Sequence, residues 1–281
     1  MSELEPQPES TTSRALAGVE FVGARWLDFQ HNVGGVWYLF VDVVGWIGRA
    51  VTTRRIRLGR VAIISQIVRL GARAIGIVML LSMAIGAILA LQMEPPLRDF
   101  GQTDKIANIV GVAVLRELGP LISAVILTGF AGAAVAAEVG TMVVGEEIEA
   151  LEAHALNPVR FLVVPRVIAT TFSLVCLTVI ANIVAIASGM FISVYVHDVP
   201  AVQYWDNTLA QCQAKDLLTG LVKAGVFGML IGLISCYNGL RVTGGAAGVG
   251  RATTATVVAS VVSVIFADLI FTTVFFALEW T

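Results

Sequence analysis

Long apolar stretches that are nearly free of charge dominate the pattern of this chain. A helix that spans a bilayer needs about 20 mostly apolar residues. Five segments reach that length if Glu138, Lys223 and Asp268 are accepted as single interruptions. The pattern therefore predicts an all-α polytopic membrane protein, with spans near residues 70–93, 112–142, 160–196, 217–240 and 253–279.

The segment Asn32–Gly48 is shorter, rich in aromatic residues, and followed by several arginines. Aromatic and basic side chains favour the membrane–water interface, so we expect an interfacial helix near residues 32–48. A true span is the alternative, which the short length disfavours. The first residues combine acids with Pro, Ser and Thr, which predicts a disordered acidic tail over residues 1–28. Residues 29–281 then form one domain.

Composition supports a membrane protein. The chain is 57% hydrophobic and only 14% charged, whereas a soluble domain carries about 25% charged residues. The net charge of −2 gives no indication of a nucleic-acid partner. The three cysteines are far apart and form no CxxC or Cys/His spacing, so we expect no metal site and no redox site.

Basic residues predict the orientation. With a cytoplasmic N-terminus, ten Lys and Arg flank the inner ends of the spans and five flank the outer ends, as the positive-inside rule requires. The inner set is Arg54, Arg55, Arg57, Arg60, Arg69, Arg73, Arg160, Arg166, Arg241 and Arg251. Five spans then place the C-terminus outside. The outer connection near residues 197–216 has room for a short helix around Trp205.

Charged residues at the ends of the second span are candidates for function. Arg116 and Glu117 are predicted at its outer end, and Glu138 follows 21 residues after Glu117, about 31 Å further along a helix. Arg116 and Glu117 either contact a polar headgroup or form an interfacial ion pair that caps the helix. Glu138 is expected to pair with an arginine at the inner side. Lys223 has no evident partner and is expected to snorkel outward; Asp268 also has none.

Small residues recur every fourth position on two spans and predict close helix packing. They are Gly132, Ala136 and Gly140 on the second span, and Gly220, Ala224, Gly228 and Gly232 on the fourth. Ordinary membrane-helix composition is the alternative. The glycine-rich segment Gly244–Arg251 lacks the GxxxxGK[ST] pattern of a nucleotide site. We therefore interpret it as a flexible cytoplasmic turn before the fifth span.

An acidic amphipathic helix is predicted between the second and third spans. Glu146, Glu147, Glu149 and Glu152 surround an apolar stripe that contains Ile148 and Leu151, with Leu156 beside it. Asn157 and Pro158 then start the next helix. Anionic lipids of the cytoplasmic leaflet repel carboxylates, so this helix is better suited to a groove on a protein partner.

These motifs resemble the MlaE (YrbE-type) permeases, the membrane subunits of ABC systems that move phospholipids or other lipids with Mce-domain partners. The resemblance covers roughly residues 30–280 and rests on four motifs in family order: RELGP at 116–120, AAEVGTM at 136–142, EEIEALEAHALNPVRFLVVPR at 146–166 and GGAAGVGRATT at 244–254. Two departures are Glu146-Glu147-Ile148-Glu149, where the family commonly has Glu-Gln followed by Ile/Val-Asp, and Phe130, where an Arg is frequent.

The resemblance implies an ATPase-coupling helix between spans two and three, two permease copies, identical or paralogous, and a lipid cavity. Carried onto this chain, the cavity would involve Leu91, Gln92, Arg116 and Glu117. The coupling residues would be Glu146, Glu147, Ile148, Glu149, Leu151, Leu156, Pro158 and Arg160. ATP and Mg would bind to a separate ATPase subunit, and a periplasmic Mce-domain (MlaD-like) protein would exchange phospholipid with this inner-membrane chain.

Two alternatives stay open at this point. One is a proton-coupled secondary transporter that uses Glu138 and Asp268 as proton carriers, although the chain has no clear internal repeat of the kind such folds tend to show. The other is a membrane scaffold that transports nothing. No HExxH, GxSxG or paired Cys/His motif indicates an enzyme.

Overall fold

Helices account for nearly all of the regular structure. The computed structural model describes residues 11–52 and 59–278, and no strand occurs among them. The α-helices are α1 (Thr11–Thr52), α2 (Arg60–Leu70), α3 (Ile75–Asp99), α4 (Ile106–Ala113), α5 (Gly119–Leu127), α6 (Ala133–Val144), α7 (Glu147–Ala153), α8 (Val164–Val196), α9 (Ala201–Gln211), α10 (Ala214–Leu240) and α11 (Gly245–Ala277). Short 3₁₀ segments lie at Ala72–Ala74 and Thr103–Lys105.

Five of the helical segments are long and apolar enough to cross a membrane, which confirms the predicted all-α polytopic fold. They are Val61–Asp99, Thr103–Val144, Val159–Val196, Ala214–Leu240 and Gly245–Ala277, here called spans one to five. Helix α1 is not among the segments that are long and apolar enough to cross a membrane.

Wide π-helical turns lie within span two and at the start of span three. They lie at Val114–Leu118, at Thr128–Gly132 and at Val159–Val163. A π-helical turn adds one residue to the local repeat and often marks a functional site. The first of them carries Arg116 and Glu117.

The third span is central to the bundle, since α8 packs against α3, α10, α2 and α5. The contact with α10 is close because glycines face it. A Cβ at Gly228 would lie 2.7 Å from Thr171 Cα, and one at Gly232 would lie 2.4 Å from Thr170 Oγ1. Because glycine has no side chain, the two helices can approach until their backbones are nearly in contact.

The second span uses its own small residues differently. A Cβ at Gly140 would meet the Val242 side chain at 2.8 Å, and one at Gly132 would lie 3.3 Å from Ser235 Oγ. Ala136 is fully buried. These positions therefore face α10 and the turn that follows it.

The N-terminal helix is longer than the sequence indicated. α1 begins at Thr11, so the expectation of disorder is wrong for residues 11–28; residues 1–10 lie outside the described residues. The acids and prolines that suggested disorder are confined to the first nine positions, and no proline occurs between Pro8 and Pro95 to end the helix. Arg54, Arg55 and Arg57, used above for the orientation, also lie outside the described residues.

The glycine-rich segment before the fifth span is another correction. We expected a flexible turn over Gly244–Arg251, but α11 already begins at Gly245. Gly244, with φ of 84°, provides the left-handed turn. A Cβ at Gly248 would lie 2.0 Å from the Thr243 carbonyl oxygen. The glycine there allows the helix to start tightly against the preceding turn.

Candidate functional site

A buried lysine joins three spans. Lys223 on α10 is 1% exposed. Its Nζ donates to Glu117 Oε2 at 2.6 Å, to Asp268 Oδ1 at 2.9 Å and to Thr272 Oγ1 at 2.8 Å. Thr272 Oγ1 in turn donates to Glu117 Oε1 at 3.0 Å. The lysine thus uses all three of its donors, and spans two, four and five meet at it.

A second ion pair lies beside the first. Arg116 Nη2 is 2.6 Å from Asp216 Oδ1, and Arg116 Nε donates to the same oxygen at 2.8 Å. Asp216 Oδ2 accepts the backbone N–H of Gln213 at 2.8 Å in a capping box at the start of α10. We call Arg116, Glu117, Asp216, Lys223, Asp268 and Thr272 the charged cluster.

The local backbone brings the cluster together. Arg116 and Glu117 lie in the π-helical turn Val114–Leu118. On the facing helix, a Cβ at Gly220 would lie only 2.0 Å from the Leu115 carbonyl oxygen. The absence of a side chain at Gly220 lets α10 approach the wide turn at backbone distance. Arg116 and Glu117 can then reach Asp216 and Lys223 on α10.

The electrostatics of the cluster follow from burial. Asp216 and Lys223 are each 1% exposed, and a charge held out of water requires an opposite charge with good hydrogen-bond geometry. The Glu117 side chain retains 36% exposure and that of Asp268 retains 17%. The cluster is therefore closed on the lysine side and open to the surroundings at Glu117.

The structure changes the interpretation of several predicted residues. Arg116 and Glu117 do not pair with each other; each pairs with α10. Lys223 does not snorkel outward, because two carboxylates hold it inside. Leu91 and Gln92 are exposed on span one. Within the described residues they take no part in the bonds of the cluster.

The other end of span two carries a matching cluster. Glu138 forms ion pairs with Arg69 and with Arg166, the latter at 3.0 Å. Arg166 is 5% exposed and donates from Nη1 to the Leu162 carbonyl at 2.8 Å. Glu138 thus has two arginine partners where we expected one.

The acidic helix lies between spans two and three, as the sequence indicated. Helix α7 covers Glu147–Ala153, and Glu146 before it has a left-handed φ of 57°. Ile148 packs against the main core, whereas all four glutamates of this segment are exposed. Leu151 is half-buried, and Leu156 is 38% exposed. The helix contacts the core through Ile148 and presents its carboxylates outward.

The segment after α7 contacts α1. Asn157 Oδ1 accepts the backbone N–H of Arg160 at 3.2 Å, and Pro158 directly precedes the π-helical turn Val159–Val163. The Arg160 guanidinium lies 5.6 Å from the ring centroid of Trp46 on α1, on which Arg49 also stacks at 4.1 Å. A displacement of α7 would therefore reach both α1 and span three.

Helix α9 lies at the end of the bundle opposite to α7, in the connection between spans three and four. Tyr204 on it is 1% exposed and packs with Ala107, Val199 and Met190. Burial raises the pKa of the Tyr204 phenol to about 12.

No set of His, Cys, Asp or Glu that could hold a metal occurs in residues 11–52 and 59–278.

Comparison with known proteins gives a family. The family model described as Permease MlaE matches residues 63–274. A probable ABC transporter permease protein of Rickettsia felis is 38% identical over 214 residues, which cover 76% of this chain and 83% of the relative. A probable ABC transporter permease protein of Synechocystis is 33% identical over 75% of this chain and 81% of its own length. Protein TRIGALACTOSYLDIACYLGLYCEROL 1, chloroplastic, of Arabidopsis thaliana is 33% identical over 76% of this chain and 61% of its own length.

Proposed function

This chain belongs to the MlaE permease family of ABC transporters, and we propose that it is the membrane subunit of an ABC-type lipid transporter. Its cargo is a phospholipid or a related two-chain lipid. ATP and Mg bind to a separate ATPase subunit. The protein lies in a bacterial inner membrane, with its N-terminus cytoplasmic and its C-terminus periplasmic.

The observation that carries this proposal is the position of α7. It is a short helix with exposed carboxylates, it follows span two directly, and Ile148 anchors it to the core. A force applied to such a helix is transmitted to the bundle through that contact. We propose that the ATPase binds Glu146, Glu147, Glu149 and Leu151, and that closure of the ATPase pair displaces α7 together with Pro158 and Arg160.

Family membership supports a lipid as the cargo. The name of the Arabidopsis relative also refers to a lipid, a galactosylated diacylglycerol. The charged cluster adds a physical argument. Glu117 remains partly exposed beside the buried Lys223, so it offers a polar contact at the surface of the bundle. A lipid headgroup is the cargo portion that needs such a contact.

A second permease copy and a periplasmic Mce-domain protein complete the proposed assembly. Span five is only 11% buried over its most apolar window, which leaves an apolar face for lipid or for a second copy. The cavity would then form between two permeases, with Leu91, Gln92 and Glu117 near its outer mouth. The Mce-domain protein would receive or deliver the lipid there.

The test is reconstitution of the chain with its co-purifying ATPase in vesicles that contain a fluorescent phospholipid. We expect lipid transfer that requires ATP. Leu151→Asp should abolish ATPase association and transfer. Val202→Asp, an equally drastic change at a 73% exposed residue of α9, should leave ATPase association intact. ATPase association and transfer that survive Leu151→Asp would show that α7 is not the coupling element.

The same assay separates the proton-coupled alternative. Transfer that persists without ATP and collapses when the proton gradient is removed would favour a secondary transporter. Glu138 and Asp268 are each held in ion pairs with buried bases, which supports a structural role for both acids. We therefore expect an ionophore to leave ATP-driven transfer unchanged.

A further inference from the structure

An open groove lies between α1 and the turn that joins α10 to α11. Its volume is about 710 Å³. Its lining includes four basic side chains, and none of the described lining residues is Asp or Glu. We call this the basic groove; the basic residues are Arg25, His31, Arg241 and Arg251.

The two arginines of the turn have only neutral partners among the described residues. Arg241 Nη1 donates to Asn32 Oδ1 at 2.9 Å and to the Tyr237 hydroxyl. Arg251 Nη2 donates to the Thr243 carbonyl at 3.4 Å. Both side chains are exposed. Their positive charges therefore converge on one space without a carboxylate from the described lining to neutralise them.

The helices around the groove are in close contact beside it. A Cβ at Gly35 on α1 would lie 2.4 Å from the ring of Tyr237 on α10, so the two helices are in close contact there. Asn238 Nδ2 donates to Thr256 Oγ1 at 3.0 Å and ties α10 to α11. The groove is thus a fixed feature of three elements.

The groove lies where two spans end. Span four ends at Leu240 and span five begins at Gly245, so Arg241 marks the edge of the apolar region. Trp26, Trp37 and Tyr38 on α1 are exposed by 60%, 61% and 74%, and such aromatic side chains favour the level of lipid headgroups. A ligand in the groove would therefore have its polar end beside the arginines and an apolar region directly adjacent.

We propose that the basic groove binds the phosphate of an anionic phospholipid from the leaflet at this end of the bundle. Arginine pairs with phosphate through charge-assisted hydrogen bonds, and Arg241 and Arg251 supply donors from two sides. Lipid acyl chains would lie along the exposed faces of α1 and α11. The bound lipid would hold α1 against the turn between spans four and five.

This site is separate from the transport site proposed above. Arg241 directly follows the last residue of α10 and lies 18 residues after Lys223, about 27 Å along the helix axis. None of the described lining residues of the groove belongs to α7. Loss of groove binding would leave the proposed transport function standing, and the reverse also holds.

The experiment is native mass spectrometry of the full, delipidated chain in detergent. Phosphatidylglycerol, phosphatidylcholine and diacylglycerol are added one at a time. We expect phosphatidylglycerol to bind about tenfold more tightly than phosphatidylcholine, and diacylglycerol to bind weakly. Inorganic phosphate serves as the competitor.

Two variants test the groove in different ways. Arg251→Gln removes one charge, whose hydrogen bond among the described residues is to Thr243. Ala255 also lines the groove, and Ala255→Glu adds a carboxylate there while both arginines remain. Each should reduce the preference for phosphatidylglycerol about tenfold. Arg98→Gln, at an exposed arginine of span one that pairs with Glu94, is the matched control and should keep that preference.

Two results would overturn the proposal. If both variants retained the preference of the unmodified chain, the groove would not be the site. If inorganic phosphate displaced all of the bound phosphatidylglycerol at comparable concentration, the site would select a free anion and not a lipid. Equal melting temperatures of the variants and the parent chain would show that the fold is intact in each case.

Discussion

Lys223 on α10 donates a hydrogen bond of 2.6 Å from Nζ to Oε2 of Glu117, which lies 106 residues earlier in the chain. This contact joins spans two and four inside the bundle. Because the lysine is almost completely buried, the pair depends on both charges being present.

Replacement of Lys223 by Met should destabilise the fold strongly. It leaves Glu117 and Asp268 without their shared cation, and loss of one partner from a buried pair costs about 3–5 kcal/mol. We expect the melting temperature in detergent, measured by intrinsic fluorescence, to fall by roughly 5–15 °C. Lys215→Met, at an exposed lysine of the same helix, should have little effect. Equal melting temperatures for the two variants would contradict this account.

Neutralising the whole trio should separate stability from transport. With Lys223→Met, Glu117→Gln and Asp268→Asn combined, no unpaired charge remains, and stability should recover most of the loss. ATP-driven lipid transfer should stay low if the charges act in transport. Recovery of both stability and transfer would show that the cluster has only a structural role.

Packing between the third and fourth spans predicts a contrast between two glycines. Gly228→Ala places a methyl group 2.7 Å from Thr171 Cα, whereas the nearest atom to a Cβ at Gly225 is 3.9 Å away. We expect Gly228→Ala to destabilise the bundle by about 1–3 kcal/mol. Gly225→Ala, three residues earlier on the same helix, should be neutral or slightly stabilising. Thermal unfolding of both variants in one detergent measures the difference.

The exposed carboxylates of α7 should determine the salt dependence of ATPase binding. Glu147→Lys combined with Glu149→Lys reverses two charges at solvent-facing positions, so the fold should be unaffected. We expect affinity for the ATPase subunit to fall about tenfold at low ionic strength and less at high salt, where charges are screened. Glu94→Lys, at the other end of the bundle, is the control. Unchanged affinity at low salt would exclude a role for these charges in docking.

Tyr204 predicts a dependence on alkaline pH. Its pKa is raised to about 12 by burial, compared with about 10 in an unfolded chain. The neutral phenol therefore contributes stability below pH 10, and this contribution is lost as the pH rises towards 12. Tyr204→Phe should unfold less readily than the parent chain over that range. Unfolding monitored by circular dichroism at increasing pH tests this.

At neutral pH the same substitution should cost little. The Tyr204 hydroxyl has no hydrogen-bond partner among the described residues, so its removal leaves no new unsatisfied group. Tyr204→Ala should instead cost about 3–5 kcal/mol through the cavity it creates. A large loss on change to Phe would indicate an unseen partner for the hydroxyl.

Much of the fold follows from the sequence, because hydropathy and helix length are local properties. The five spans and the helical connection around Trp205 were predictable on that basis. The start of α1 was not, since the acids and prolines near the N-terminus suggested disorder over residues 1–28, whereas α1 begins at Thr11. Gly244–Arg251 was also misjudged, because glycine content alone does not reveal that Gly248 packs tightly at a helix start.

The charged cluster was only half predictable. Arg116 and Glu117 were candidates because ionisable residues near a span are unusual. Their partners could not be identified, since Lys223 and Asp268 belong to helices whose rotation and depth depend on packing. The close approach at Gly220 fixes that packing; its four-residue repeat with Ala224, Gly228 and Gly232 indicated a close contact but did not identify the facing helix. One signal was available: a lysine and an acid that lie on separate spans can pair with each other.

The order of synthesis adds a constraint on the lysine. Glu117, Lys223 and Asp268 leave the ribosome in that sequence, and Asp268 follows Lys223 by 45 residues. Span four must therefore enter the membrane when only one of its two acidic partners is present. A lysine within an apolar span is costly to insert without a partner, so we expect Glu117 to act as its first partner during biogenesis. Arrival of span five then supplies Asp268 and Thr272, which complete the hydrogen bonds of Lys223.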